Sequence, residues 1–494
     1  MIPNDEFNQA LLAHVHPADW VSPAPQAKYD LVVVGAGTAG LVTAVGAAGL
    51  GARVAIIERH LMGGDCLNFG CVPSKAVIAA ARTVHAARAA MAFGATDPGA
   101  IDFERVMARM RRLRAGLAAH DSAARLAGLG IDVFLGDAQF AGTDVVEVNG
   151  VTVRFAKAVI ATGARSAVPP IPGLPSVRFL TNETVFDLTQ RPEHLIVLGA
   201  GPIGCELAQT FRRLGARVSL VSLEPRVLPR EDPDASAVVQ AQLASEGIRL
   251  FLGGAITAVM QEGHDVRVIV EGAEPITGDA LLVATGRTPN LQSLALDRAG
   301  VRVDSTGIVV DDHLRTSNRR IFAAGDVCSV YKFTHAADAM ARIVIQNALF
   351  FGRKKVSDLV VPWATYTDPE VAHVGLTADQ AHRRGASVVT LTVPLSSIDR
   401  AVLEGRTDGF ARVHVEARAG RILGATIVGE GAGELIGEMA VAMASRVAIG
   451  AVGGMIHPYP TRSEAWKKLG DQWNKRRLTP FAARVLRALI RWQR

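Results

Sequence analysis

Cysteine is scarce in this chain, four in 494 residues. That is too few for the disulfide framework of a secreted scaffold and fits a reducing cytoplasm in which one pair is kept for chemistry. No second cysteine pair and no cluster of histidines completes a ligand set, so no metal site is expected. The N-terminus, MIPNDEFNQALL, carries Asp5 and Glu6 and lacks both a basic leader and a continuous apolar run; it does not read as a secretory signal. Neither sign of charge dominates, with 53 Lys and Arg against 47 Asp and Glu. The basic residues that stand out are confined to one terminus and no recognised module accompanies them, so nucleic acid is not an expected partner. One uncharged run, LVVVGAGTAGLVTAVGAAGL at residues 31–50, has the length of a membrane span. Its glycines and valine cluster read instead as a buried strand turning into a helix.

That segment gives the first assignment. Tyr29 to Val34 is a short β-branched run, followed by Gly35-x-Gly37-x-x-Gly40, an alanine-rich helix ending at Leu50-Gly51, and a strand from Arg53 to Ile57 that delivers Glu58. The glycines permit a tight turn, close approach of backbone to a pyrophosphate and packing of helix on strand; Glu58 is placed for a ribose. Strand before, helix after and an acid at the expected distance turn a weak motif into a strong one.

The unit occurs twice. Leu195 to Leu198 leads into Gly199-x-Gly201-x-x-Gly204, and the pentapeptide LGARV at 50–54 recurs at 214–218. The two copies align without a gap, which places Ser222 where the first copy has Glu58. An acid there favours the 2'-hydroxyl of NAD; Ser222, with Arg226 close behind, tolerates the 2'-phosphate of NADP. The reading leans to NADPH over NADH, with Glu224 within a small loop shift of the ribose.

Directly after the first unit stands GGDCLNFGCVPSK, in which Cys66 and Cys71 are near enough to close a small disulfide. A helix opening at Val72-Pro73 would lower the pKa of Cys71 through its positive end. Two buried structural cysteines, or half a metal site, are the bland alternative.

With these motifs the chain resembles the group I flavoprotein disulfide reductases (pyridine nucleotide-disulfide oxidoreductases), the family of glutathione reductase and dihydrolipoamide dehydrogenase, and within it the mercuric-reductase-like branch. The resemblance spans Tyr29 to Leu469. It also rests on the ATG turns ending at Gly163 and Gly286, IFAAGDV at 321–327 and TDPEVAHVGLT at 367–377. It implies an α/β protein with two doubly wound, Rossmann-like nucleotide-binding domains and an α+β C-terminal dimerisation domain. The expected boundaries are an N-terminal extension at 1–28, an FAD domain at 29–170 and 291–361, an inserted NAD(P) domain at 171–290, a dimerisation domain at 362–470 and a basic amphipathic tail at 471–494.

The resemblance further implies a homodimer that passes electrons from NAD(P)H through FAD to a Cys66–Cys71 couple and on to a small-molecule or metal-ion acceptor. Cys71 would face the flavin, Cys66 would meet the acceptor, and Lys75 and Glu206 would lie beside flavin and nicotinamide. Gly64, Thr162, Gly163, Gly286 and Asp326 join the glycines above as cofactor contacts. For Lys75 the bland alternative is a solvated lysine; for Glu206, an acid in a helix first turn.

Substrate is harder to read. Family members that reduce organic disulfides carry His before Pro-Thr in a His-Pro-Thr-x-x-Glu motif; here the string is HPYPTRSE and the position holds Tyr459. A phenol with a pKa near 10 is poorly matched to moving protons between thiols at neutral pH. A soft metal ion bound by thiolates needs no such shuttle and is favoured. Against mercury itself, the vicinal C-terminal cysteines of that branch are absent, Cys205 and Cys328 standing apart. A disulfide reductase such as dihydrolipoamide dehydrogenase stays open through His457, which could share a face with Tyr459 about 7 Å away if the segment is extended. Glu464 is placed to orient either one, or is the first-turn acid of the next helix. A membrane-associated redox sensor is the rival from another class. In the tail, Thr479-Pro480 opens a helix with Phe481, Val485, Leu489 and Trp492 on one face and Arg484, Arg487, Arg491 and Arg494 on another. Such a helix could lie on the inner, anionic face of a membrane or dock on its own dimer.

Overall fold

A computed structural model describes residues 1–90, 101–476 and 478–494. The chain divides into two compact units, Met1–Pro225 with Gly247–Leu359, and Arg226–Glu246 with Val360–Arg494.

The first unit holds both nucleotide folds. In one, strands Asp132–Leu135, Val54–Glu58, Tyr29–Val34, Val151–Ile160 and Ile321–Ala323 run parallel in that order. Val145–Val148 and Ala138–Gly142 extend the sheet antiparallel. Tyr29–Val34 carries apolar residues on both faces, as a strand covered on both sides must. The run 31–50 is this strand and the helix Thr38–Gly49. In the other fold, Arg249–Leu252, Arg217–Ser222, His194–Leu198 and Ala280–Val283 form a parallel sheet, with a three-stranded antiparallel sheet, residues 256–278, preceding its last strand in the chain. The chain leaves the first fold along Ala164–Ser166 and returns along Arg287–Pro289, and these two strands pair antiparallel. The insertion of one fold in the other thus has a physical seam.

The N-terminal segment is part of this unit. Helix Glu6–Val15 buries Leu11 and Val15, and Asp5 pairs with Arg111 at 2.5 Å. Trp20 donates its indole N–H to the Val133 carbonyl at the sheet edge.

The second unit is an antiparallel sheet in the order Pro362–Thr365, Glu370–Gly375, Ile422–Gly429, Phe410–Glu416, Val388–Pro394. Helices Ala432–Ala444 and Glu464–Arg476 belong to the same core, with Trp466 and Trp473 buried in it. Two expected boundaries move. Position 470 falls inside the Glu464–Arg476 helix, and burial of Trp473 makes that helix core, so the tail proper is shorter than 471–494. Residues 226–246, expected in one piece with the NAD(P) domain, group with the C-terminal unit. The reason is a polar cluster: Trp363 donates to Glu231 at 2.6 Å, and Arg412 and His414 lie 3.6 and 3.5 Å from Asp232.

Candidate active site

Cys66 sits in the short helix Gly64–Asn68 and Cys71 is the first residue of the helix Cys71–Ala89, one position earlier than the Val72-Pro73 start. The turn before Cys66 requires glycine: Gly63 and Gly64 have φ of +85° and +58°, and a Cβ on Gly64 would meet the Gly37 Cα at 2.6 Å. Both sulfurs are free thiols. The Cys66 thiol hydrogen-bonds the Cys71 sulfur, and Thr334 Oγ1 lies 3.3 Å from Cys71 Sγ. The bond from Cys66 chiefly lowers the Cys71 pKa to about 6, with Thr334 and the Lys75 charge adding to it against the opposing effect of burial. Cys66 is pushed up as the protonated donor.

Lys75 lies one turn along the helix and its Nζ is 2.9 Å from Glu206 Oε2. Glu206 is 6% exposed and is the fifth residue of helix Pro202–Arg213, past the first turn, so the alternative of a first-turn acid falls away. The structure therefore brings together four of the expected residues, Cys66, Cys71, Lys75 and Glu206.

Several partners in this site carry no local signal in the sequence. Thr334 is 263 positions from Cys71. Arg287 bridges Asp65, at 3.1 Å, and Asp326, at 3.4 Å. Asn182 donates to Asp65 at 2.8 Å, and Arg114 joins the Asn68 carbonyl at 2.8 Å to Asn8 at 2.7 Å. Polar and charged ties thus hold the segment bearing Cys66 from three sides.

The two glycine loops repeat each other closely. Gly35 and Gly199 have φ of +101° and +108°, and a Cβ on either would lie 2.5 Å from a carbonyl, of Ala161 and Ala284 respectively. A Cβ on Gly40 or Gly204 would lie 1.8 Å from the carbonyl of Gly35 or Gly199. Next to Gly201, and next to Gly163 with its φ of +66°, such an atom would meet nothing within 4 Å. Gly286 has φ +147°, and Thr162 donates to the Asn290 carbonyl at 2.8 Å. Glu58 accepts from the Ala36 and His60 amides at 2.7 and 2.8 Å, and its burial raises its pKa. Open space beside bare backbone, with a fixed acid at the strand end, fits a dinucleotide with its pyrophosphate on the helix end. Ser222 is buried and accepts from the Glu224 amide at 3.1 Å. Arg226 lies in the other unit, where its guanidinium donates to the Pro229 and Glu231 carbonyls.

In the C-terminal unit the three candidate residues take separate partners. His457 Nε2 is 2.9 Å from Glu438. Tyr459 donates to Asp399 at 2.7 Å, which raises the phenol pKa. Glu464 opens its helix and faces Lys468 at 3.5 Å. The orienting acids are Glu438 and Asp399, while Glu464 is the first-turn acid. Of the remaining cysteines, Cys205 is buried and donates to the Ala200 carbonyl, and burial pushes Cys328 up to about 12. Among the described residues no group of His, Cys, Asp and Glu could hold a metal ion, and no helix is long and apolar enough to cross a membrane. Helix Pro480–Trp492 buries no residue; Phe481 and Trp492 are exposed. Arg477 lies outside the described residues.

Two family models match the chain: pyridine nucleotide-disulphide oxidoreductase over residues 29–341 and the corresponding dimerisation domain over 361–469. Mercuric reductase of Lysinibacillus sphaericus is 36% identical over 444 residues, covering 89% of this chain and 81% of that protein. Dihydrolipoyl dehydrogenase of Thermus scotoductus is 34% identical over 464 residues, covering 90% and 98%. The structure of a Cu(II) complex of the HOCl-induced flavoprotein disulfide reductase RclA from Escherichia coli superposes with a TM-score of 0.82 at 30% identity, covering 90% of this chain and all of that one.

Proposed function

This chain belongs to the pyridine nucleotide-disulphide oxidoreductase family, and from that premise we propose that Cys66 and Cys71 form its redox couple, with a soft metal ion as the favoured acceptor. The protein is an NAD(P)H-dependent flavoprotein oxidoreductase of the disulfide reductase type, and the cofactors of its family are FAD and NAD(P)H. In our reading Gly35, Gly37, Gly40, Glu58, Gly64, Thr162, Gly163 and Asp326 hold FAD, while Gly199, Gly201, Gly204, Ser222 and Gly286 hold the nicotinamide cofactor. When bound, FAD supplies the exchange of a hydride for an electron pair that a disulfide can take.

The residues then act as follows. Two electrons open the Cys66–Cys71 bond; Cys71 stays as thiolate, because Cys66 and Thr334 hydrogen-bond to it and Lys75 is near, and Cys66 takes a proton. Lys75, fixed by Glu206, holds positive charge beside the couple. On delivery to the acceptor, the two sulfurs give up the electron pair and re-form their bond, releasing the proton.

The single observation that carries the metal preference is the Tyr459 phenol, exposed and bound to Asp399 with its pKa raised. It is a poor base for thiol exchange, whereas thiolates bind a soft cation directly. Cys205 and Cys328 offer no entry relay, so the proposal is a soft ion and not mercury in particular. The contact of His457 with Glu438 favours a second reading, a disulfide reductase using His457 as acid and base. An acceptor screen on holoenzyme with mercuric and cupric ions, lipoamide, glutathione disulfide and quinones tests both. Turnover of the metal ions is expected; strong lipoamide or glutathione-disulfide turnover that His457→Ala abolishes would replace the first reading with the second.

Ser222 in place of an acid leans the second site to NADPH, and a lower KM for NADH would reject this. The dimerisation domain supports a homodimer. The tail helix, apolar on one face and arginine-rich on the other, would lie against the inner, anionic membrane face. Equal recovery of the full chain and a chain ending at Arg476 in the supernatant after sedimentation with anionic vesicles would remove that contact.

A further inference from the structure

Helix Thr334–Leu349 begins beside Cys71 and, at sixteen residues, carries its far end about 24 Å away. At that end a cleft of about 590 Å³ is lined by Lys157, His313, Arg315, Arg319, Arg353 and Phe351. Its volume is that of a small-molecule site.

Its charge is of one sign. Among the described residues none of Lys157, Arg315, Arg319 and Arg353 has an ion-pair partner, while the neighbouring Arg320 faces Asp144 at 4.0 Å. Burial and the charges of Arg315 and Arg320 depress the Lys157 pKa. The nearby carboxylates are already engaged: Asp311 accepts from the His313 and Arg315 amides, and Asp312 from the amide and hydroxyl of Ser357. A helix C-terminus favours a cation nearby, but one helix end does not account for four of them without counter-charge.

The cleft is also held in shape. Asn347, 4% exposed, donates to the His313 and Lys354 carbonyls and accepts from the Lys354 amide. The turn between carries Phe351, which is 96% exposed at φ +54°. A bulky residue in the left-handed region with its ring in solvent is costly, and such strain clusters at ligand clamps.

We propose that this cleft binds a multiply charged phosphate group, its cations clasping the phosphate oxygens while Phe351 covers the apolar part of the ligand. A soluble polyphosphate ester and a phospholipid headgroup share this chemistry. The site is remote from the redox couple and does not depend on the acceptor.

The test uses full-length holoenzyme, with inorganic tripolyphosphate as the free anion and vesicles of equal parts phosphatidylcholine and phosphatidic acid as the lipid source. Wild type is expected to bind tripolyphosphate saturably, and Arg315→Gln/Arg319→Gln/Arg353→Gln to bind it at least about tenfold more weakly. The triple variant should keep wild-type flavin absorbance. If it does not, the single Arg353→Gln, on an exposed turn, should still show a loss of about threefold. With the vesicle arm repeated on holoenzyme ending at Arg476, so that the tail helix makes no contribution, loss of vesicle binding in parallel identifies the headgroup as the source; loss for tripolyphosphate alone identifies a soluble ligand. Equal tripolyphosphate affinity in wild type and variants overturns the site.

Discussion

The Cys71 sulfur is where local chemistry decides most. Its acidity comes first from the Cys66 hydrogen bond, then from Thr334 and the Lys75 charge, all working against burial. In the reduced holoenzyme the thiolate fraction should rise as pH rises through about 6, so alkylation of Cys71 should follow a curve with that midpoint. Cys66→Ala should move the midpoint up more than Thr334→Val, and Thr334→Val more than Lys75→Gln; an unshifted midpoint in Cys66→Ala would contradict the assignment. Cys66, Cys71 and Lys75 were legible because one short string holds them at the spacing of a turn and a helix. Thr334, Arg287 and Asn182 were not, because they reach the site from a distant helix start, strand and loop and are unremarkable where they stand in the sequence. Of the two roles open to Glu464 from its motif position, the structure shows the first-turn acid; the carboxylates that meet Tyr459 and His457, Asp399 and Glu438, come from other elements.

At the scale of elements, the internal repeat gave the two glycine loops in register, and the 1.8 Å approaches at Gly40 and Gly204 show why both copies need glycine. Gly204→Ala should therefore yield a yellow protein, FAD retained in the first loop, whose NAD(P)H turnover is lost while dithionite still reduces it. Unchanged NAD(P)H turnover would show that the second loop is not the nicotinamide site. The N-terminal segment was opaque because its role is written in Arg111 and Arg114, a hundred positions away. Arg114 is 1% exposed and shares Asn8 and the Asn68 carbonyl. Asn8→Ala should cost about 2 kcal/mol, the usual worth of a buried hydrogen bond to a charged group. A lower urea midpoint reads this loss, and an unchanged midpoint would show that the N-terminal helix does not brace the segment bearing Cys66.

Across the whole molecule, the order of motifs foretold two nucleotide folds and a C-terminal sheet domain. The exceptions were matters of packing. Residues 226–246 follow their polar contacts into the C-terminal unit, and Trp473 draws the last core helix past the expected boundary. Neither is visible to periodicity, since a half-buried helix reads alike whichever sheet it covers. The central claim is that electrons leave FAD through the Cys66–Cys71 couple. Anaerobic dithionite titration of the oxidised holoenzyme tests it most directly. Wild type should take up about twice the reducing equivalents of Cys66→Ser, one pair for the flavin and one for the disulfide; equal uptake by the two proteins would contradict it.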